Sequence, residues 1–207
     1  MLRVPSGALY AKIATGDADV EELALTRDGA RLAAIVADKL VIYALPSGKR
    51  VRSIAIGEVT TQIGFCDRGA AVWYKALAGI VVVDVASGKE RARLASVQPG
   101  EIDHVAMSPD CKRALNTTWN QPALGFVARD LATKRVLFTV PNASKPQFSL
   151  DGKHIVALDG PEVLSIDANG TIVKRYPGHA TTVSALAILP DGHVVSGGTD
   201  ALVKIWP

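Results

Sequence analysis

The chain has 207 residues, 48% of them hydrophobic but only 5% aromatic, with 23 Lys and Arg against 20 Asp and Glu and a formal net charge of +3. That apolar content can fill a substantial core, chiefly with Val, Ile, Leu and Ala, and a single all-β domain often reaches this length. Cations scattered among nearly as many anions exclude a basic nucleic-acid track, and no run approaches the ~18 apolar residues of a membrane-crossing helix.

The opening MLRVPSGALYAKI has neither the long apolar stretch nor the small-residue cleavage site of a signal peptide. One strand is expected at residues 9–13. Four strands follow at 21–25, 31–36, 40–45 and 51–56, then four at 61–65, 70–74, 79–85 and 91–94. Two further sets are expected at 102–107, 112–117, 124–130 and 135–140, and at 147–150, 154–158, 162–167 and 172–176. The last set has three, at 183–189, 193–196 and 202–206. Short strands joined by tight turns run antiparallel, because parallel neighbours need crossovers of about a dozen residues.

The turns carry a period. Thr26-Arg27-Asp28-Gly29, Asp67-Arg68-Gly69, Ser108-Pro109-Asp110-Cys111, Ser149-Leu150-Asp151-Gly152 and Pro190-Asp191-Gly192 end at positions 29, 69, 111, 152 and 192, evenly spaced along the chain. A second marker recurs in step: Pro46-Ser47-Gly48, Ala86-Ser87-Gly88, Ala132-Thr133-Lys134 and Ala168-Asn169-Gly170. Two independent markers sharing one period, about 40 residues, indicate a repeat array and a single domain over positions 1–207.

The last repeat, from Gly178-His179 to Trp206, resembles one WD repeat of a β-propeller, although Pro207 stands where the family's closing Asp would be. The resemblance implies four-stranded antiparallel blades around one axis. It also implies a buried hydrogen-bonded tetrad of His179, Ser196, Asp200 and Trp206. A hydrolase reading of Ser, His and Asp fails on context, since Ser196 lies in a strand without a nucleophile elbow. By counting from the turns, Ala33, Trp73, Leu115 and Val156 correspond to Ser196, and Gln98 to His179, so apolar packing should replace the tetrad in the other blades.

Aligning Pro5-Ser6-Gly7 with Pro46-Ser47-Gly48 places Leu2 at the repeat position of Tyr43 and Trp206. The strand at 9–13 is then the missing fourth strand of the last blade, and pairing it with 202–206 closes a five-blade ring. The alternative is five blades of a larger ring. A closed ring should be a monomer and a partial one should self-associate.

The step from turn residue to Trp-like position is the same in four repeats (29 to 43, 69 to 83, 152 to 166 and 192 to 206) but longer in the third (111 to 129), which lengthens the link TTWNQPA. In the family that link lies on the partner-binding face, so Trp119, Asn120 and Gln121 are candidate contacts. His104, in a first strand, could face the channel. The first strands otherwise offer mainly Thr, Ser and Gln, so neither a metal nor another cofactor is expected. The reading is a non-catalytic scaffold for a protein or peptide partner; the alternatives are a lactonase-like propeller enzyme or one module of a larger protein. Cys66 and Cys111 occupy corresponding turns of adjacent repeats, expected to lie too far apart to bridge. Both are read as reduced thiols, which favours a cytoplasmic setting.

Overall fold

The computed structural model describes residues 12–16, 18–56, 60–96, 101–119 and 121–207. They form five antiparallel sheets with strands in sequence order. The first comprises β1 (Val20–Leu25), β2 (Arg31–Val36), β3 (Lys39–Ala44) and β4 (Lys49–Ala55). The second comprises β5 (Thr60–Cys66), β6 (Ala71–Ala76), β7 (Gly79–Asp84) and β8 (Glu90–Ala95). The third comprises β9 (Ile102–Met107), β10 (Arg113–Thr118), β11 (Phe126–Asp130) and β12 (Val136–Val140). The fourth comprises β13 (Ser144–Phe148), β14 (His154–Asp159), β15 (Glu162–Asp167) and β16 (Ile172–Tyr176). The last sheet has β17 (Val183–Ile188), β18 (Val194–Gly198) and β19 (Val203–Trp206), with no fourth strand among the described residues.

The all-β, one-sheet-per-repeat expectation is therefore met, with shifts at some strand ends. Leu124, expected at the start of a strand, lies instead in a short 3-10 turn (Pro122–Leu124) ahead of β11. The fourth sheet begins at Ser144 and its first strand ends at Phe148, leaving Leu150 in the turn.

The sheets stack face to face, as strand alternation dictates: one set of side chains points to the preceding sheet and the other to the next. Ala33, Ile35, Leu40 and Ile42 of the first sheet meet Val72, Tyr74, Val81 and Val83 of the second. Trp73, Ile80, Val82 and Leu94 then meet Ile102, Val105 and Ala114 of the third. Leu115, Phe126 and Ala128 meet Ile155, Ala157, Leu164 and Ile166 of the fourth. Val156, Leu158 and Val163 meet Val183, Val194, Leu186, Ile188 and Trp206 of the last. First strands are neighbours, with β1 beside β5, β5 beside β9 and β9 beside β13, so they line the inner side of the array. Polar links cross the same junctions. Arg31 Nη1 donates to the Gly69 carbonyl at 2.8 Å, Arg113 Nη1 to that of Ala168 at 3.0 Å, and the Val105 N–H to Gln62 Oε1 at 2.9 Å.

Two expectations change. Cys66 and Cys111 are not separate thiols: they form a disulfide with Cα atoms 5.4 Å apart. Face-to-face packing brings these two turns together although they lie a repeat apart in sequence, with the Asp67 N–H donating to the Pro109 carbonyl at 2.7 Å. Bridged cysteines give no support to the cytoplasmic setting expected from reduced thiols. Of the strand expected at 9–13, residues 9–11 lie outside the described residues. Lys12 and Ile13 are described and carry no strand pairing; Ile13 packs on Ala34, Val36, Val41 and Tyr43 of the first sheet.

Candidate functional site

The best-defined polar constellation lies in the last sheet. His179 stands in the link before β17, Ser196 in the middle of β18, Asp200 in the turn between β18 and β19, and Trp206 at the end of β19. Trp206 Nε1 donates to Ser196 Oγ at 2.8 Å. Ser196 Oγ and His179 Nε2 are also 2.8 Å apart, and His179 Nδ1 lies 3.0 Å from each Asp200 carboxylate oxygen. A carboxylate only accepts, so Nδ1 carries a proton, and in the neutral tautomer assigned on that basis Nε2 accepts from the Ser196 hydroxyl. Each group in the chain from indole to carboxylate then has one consistent role.

Backbone groups hold the carboxylate in place. The N–H groups of Ala180 and Leu202 donate to it at 3.0 and 3.2 Å. The His179 hydrogen bond is the main cause that lowers the Asp200 pKa from 3.8 to about 2, and those two N–H groups add to it against the opposing effect of burial. Close approach also needs Gly198, where a Cβ would fall 2.6 Å from His179 Nδ1 and 2.7 Å from Asp200 Oδ1. Ser196 is 1% exposed and His179 is buried, so the constellation is a brace whose middle lies inside the sheet, while Asp200 and Trp206 at its ends are half-buried.

Counting from the turns misplaces its counterparts. The turn into the second strand closes from Thr26 to Arg31, Ser108 to Arg113 and Ser149 to His154, but only from Leu189 to His193 in the last sheet. One residue fewer shifts the register, so Ser196 pairs with Leu186 and faces the preceding sheet. Its counterparts are thus Ala34, Tyr74, Asn116 and Ala157, not Ala33, Trp73, Leu115 and Val156, which face the following sheet. Apolar replacement is therefore incomplete, because two of the four are polar. Gln98, the counted counterpart of His179, lies outside the described residues. Trp73 is buried against the third sheet.

The second candidate set gathers at the opposite end of the sheets from the periodic turns. Trp119 is 71% exposed, while its own N–H is tied to the Glu101 carbonyl at 3.0 Å. Gln121 is exposed beside it, and its N–H donates to the Thr118 carbonyl; Asn120 lies outside the described residues. Leu124 of the same link is exposed, as is Leu77 of the β6–β7 link in the second sheet. In the sequence Leu77 is a lone Leu in a tight link and carries no signal; the fold places that link at the Trp119 end of the sheets.

His104 belongs to β9 on the inner side and its N–H donates to Thr117 Oγ1 at 3.1 Å. Its Nδ1 is buried without a partner among the described residues. Burial is the main cause that pushes its pKa below 6.5, with Asp103 opposing and Lys145 and Lys75 adding to the shift, which favours the neutral ring. His154 and His193 are exposed, the latter with Nδ1 3.1 Å from Asp191. Among the described residues no three His, Cys, Asp or Glu side chains cluster as a metal site would require, and no helix is long and apolar enough to cross a membrane.

Residues 170–207 match the family model of the WD domain, G-beta repeat. Among solved structures, the chain is similar to the β-propeller domain of Cps50 (Swd1) from Myceliophteria thermophila. The TM-score is 0.74 at 13% identity, over 92% of this chain and 65% of that one. The chain therefore spans just under two thirds of the propeller it matches. No curated protein matches it in sequence.

Proposed function

We propose that this chain, whose last repeat matches the WD-repeat model and whose fold is similar to that of a WD-repeat β-propeller, is a non-catalytic scaffold for a protein or peptide partner. The observation that carries this reading is Trp119: a large indole, 71% exposed, on a link whose backbone is fastened to the start of β9. Such a side chain offers wide contact area at low ordering cost, which is the character of an interface anchor. Gln121 and Leu124 extend the surface, and His104 stands inward of it. Among the described residues, the buried and unpartnered Nδ1 of His104 is what favours the enzyme alternative. Replacing Trp119 with Ala should abolish capture of the partner from the source cell while leaving the melting temperature within a few degrees. A thermal shift as large as that of a core truncation would assign Trp119 to packing.

Within this reading the scaffold is a closed ring of five blades, completed by the segment that carries Ile13. A Cβ on Gly48 would lie 3.1 Å from Ile13, as one on Gly88 would meet Arg52 of β4 and one on Gly170 would meet Phe138 of β12. Ile13 thus stands to the first sheet as a fourth strand stands to the sheet after it. Leu23 and Leu25 on one end face are 59% and 52% exposed, and Val203 and Ile205 on the other are 74% and 65% exposed; a closed ring has to cover both faces. Light scattering should give a monodisperse monomer near 21.8 kDa. An obligate dimer would refute closure and favour five blades of a larger assembly.

A further inference from the structure

We propose that the Cys66–Cys111 disulfide is a dedicated clasp between the second and third sheets, and that the protein acquires its fold in an oxidising compartment. The inference does not depend on the identity of the partner. It rests on how the junctions between sheets are fastened.

At the first junction Arg31, two residues past the turn position Gly29, donates across to the Gly69 carbonyl. At the third junction Arg113, two residues past Cys111, does the same to Ala168. At the second junction the corresponding residue is Ala71, fully buried and with no side-chain donor, and at the fourth it is the exposed His154, where Gln147 Nε2 donates to the Leu186 carbonyl at 3.1 Å instead. The disulfide stands at the second junction, joining the end of β5 to the turn after β9.

The backbone is shaped around it. The turn position is Gly in the other four repeats, with φ of +69°, +85°, +71° and +96°, whereas here it is Cys111 at φ +60°. A left-handed conformation is unfavourable for a residue with a Cβ, by about 1–2 kcal/mol, so a cysteine in this slot needs a compensating interaction. Asp67 and Arg68, next to Cys66, are also left-handed, at φ +49° and +52°. That turn is tied down on both sides: the Asp67 N–H bonds to the Pro109 carbonyl, and Arg91 bridges Asp67 and Asp84 at 2.8 and 2.6 Å. Cys66 itself is buried with Ala71 and Leu131, and Cys111 packs on the same cluster. Two thiols held here at bonding distance, with one sulfur shielded from solvent, form a structural crosslink more readily than a pair of reactive groups.

Closing the bridge forms one S–S bond, and the two thiols lose two protons and two electrons. The oxidant is the disulfide of a thiol–disulfide exchange partner, which is reduced to two thiols. Such an oxidant drives the reaction to completion only where thiols are not kept reduced.

The test is to trap free thiols with an alkylating agent at the moment of lysis of the source cells and to measure the intact mass. The expected result is no alkyl group added until reductant is supplied, and two afterwards. The bridge closes a loop with a sequence separation of 45 residues. Reductant should therefore lower the melting temperature of the wild type on the order of 10 °C. Cys111→Gly, which restores the residue found at the other four turns, and Cys66→Ser should both melt near the reduced wild type and ignore reductant. Two alkyl groups on the protein as trapped would overturn the proposal. So would an unchanged melting temperature after mass measurement shows the bridge open.

Discussion

Replacing Ser196 with Ala tests the brace at its centre. The hydroxyl accepts from Trp206 Nε1 and donates to His179 Nε2, both at 2.8 Å, and Ser196 is almost fully buried. Alanine fits the space but leaves an indole donor and an imidazole acceptor without their partner. Leaving a buried polar group unpaired costs about 1–3 kcal/mol, and the open edge of Trp206 places the expected loss within that range instead of at twice it. For a chain of this size that is a fall of about 2–12 °C in melting temperature. Differential scanning calorimetry gives the shift, and urea titration should show a lower midpoint at an unchanged slope. The pairing itself is read from a double-mutant cycle with Trp206→Phe, which removes the same hydrogen bond from the other side. The two losses should not add, with a coupling of about 0.5–3 kcal/mol. A stability equal to wild type, or strictly additive losses, would refute the claim that these atoms form one buried chain.

Two further outcomes follow from the same geometry. The Asp200 pKa is depressed from 3.8 to about 2, so its contribution is fully present above 3.8 and is lost as pH falls through about 2. The stability advantage of wild type over Asp200→Asn, followed by thermal melts between pH 5 and pH 2 (about the window of the depressed pKa), should therefore shrink toward the acid end. Gly64 lies opposite Trp73 on the adjacent strand, and a Cβ there would come 2.6 Å from Trp73 Nε1 and 2.8 Å from its ring carbons. Gly64→Ala should thus destabilise by about 1–3 kcal/mol, because Trp73 must move within a packed junction. Urea titration of this variant checks the figure, and a neutral result would mean the indole has room.

The repeat was legible in the sequence because its markers are local. Asp and Gly act within a single tight turn, so the repeat period, the one-sheet-per-repeat fold and the added length before β11 could all be read without contacts. The brace was legible for a related reason: its four residue types are specific together, and all lie within one repeat. What only the tertiary structure decided depends on how sheets lie against one another. Distance along the chain put Cys66 and Cys111 a whole repeat apart, yet face-to-face stacking sets their Cα atoms 5.4 Å apart. A turn one residue shorter in the last sheet kept the same spacing to Trp206 but moved Ser196 to the other face, because side chains alternate with a period of two. The exposure of Trp119, Val203 and Ile205 likewise depends on which neighbouring surface is present, and packing between repeats determines that.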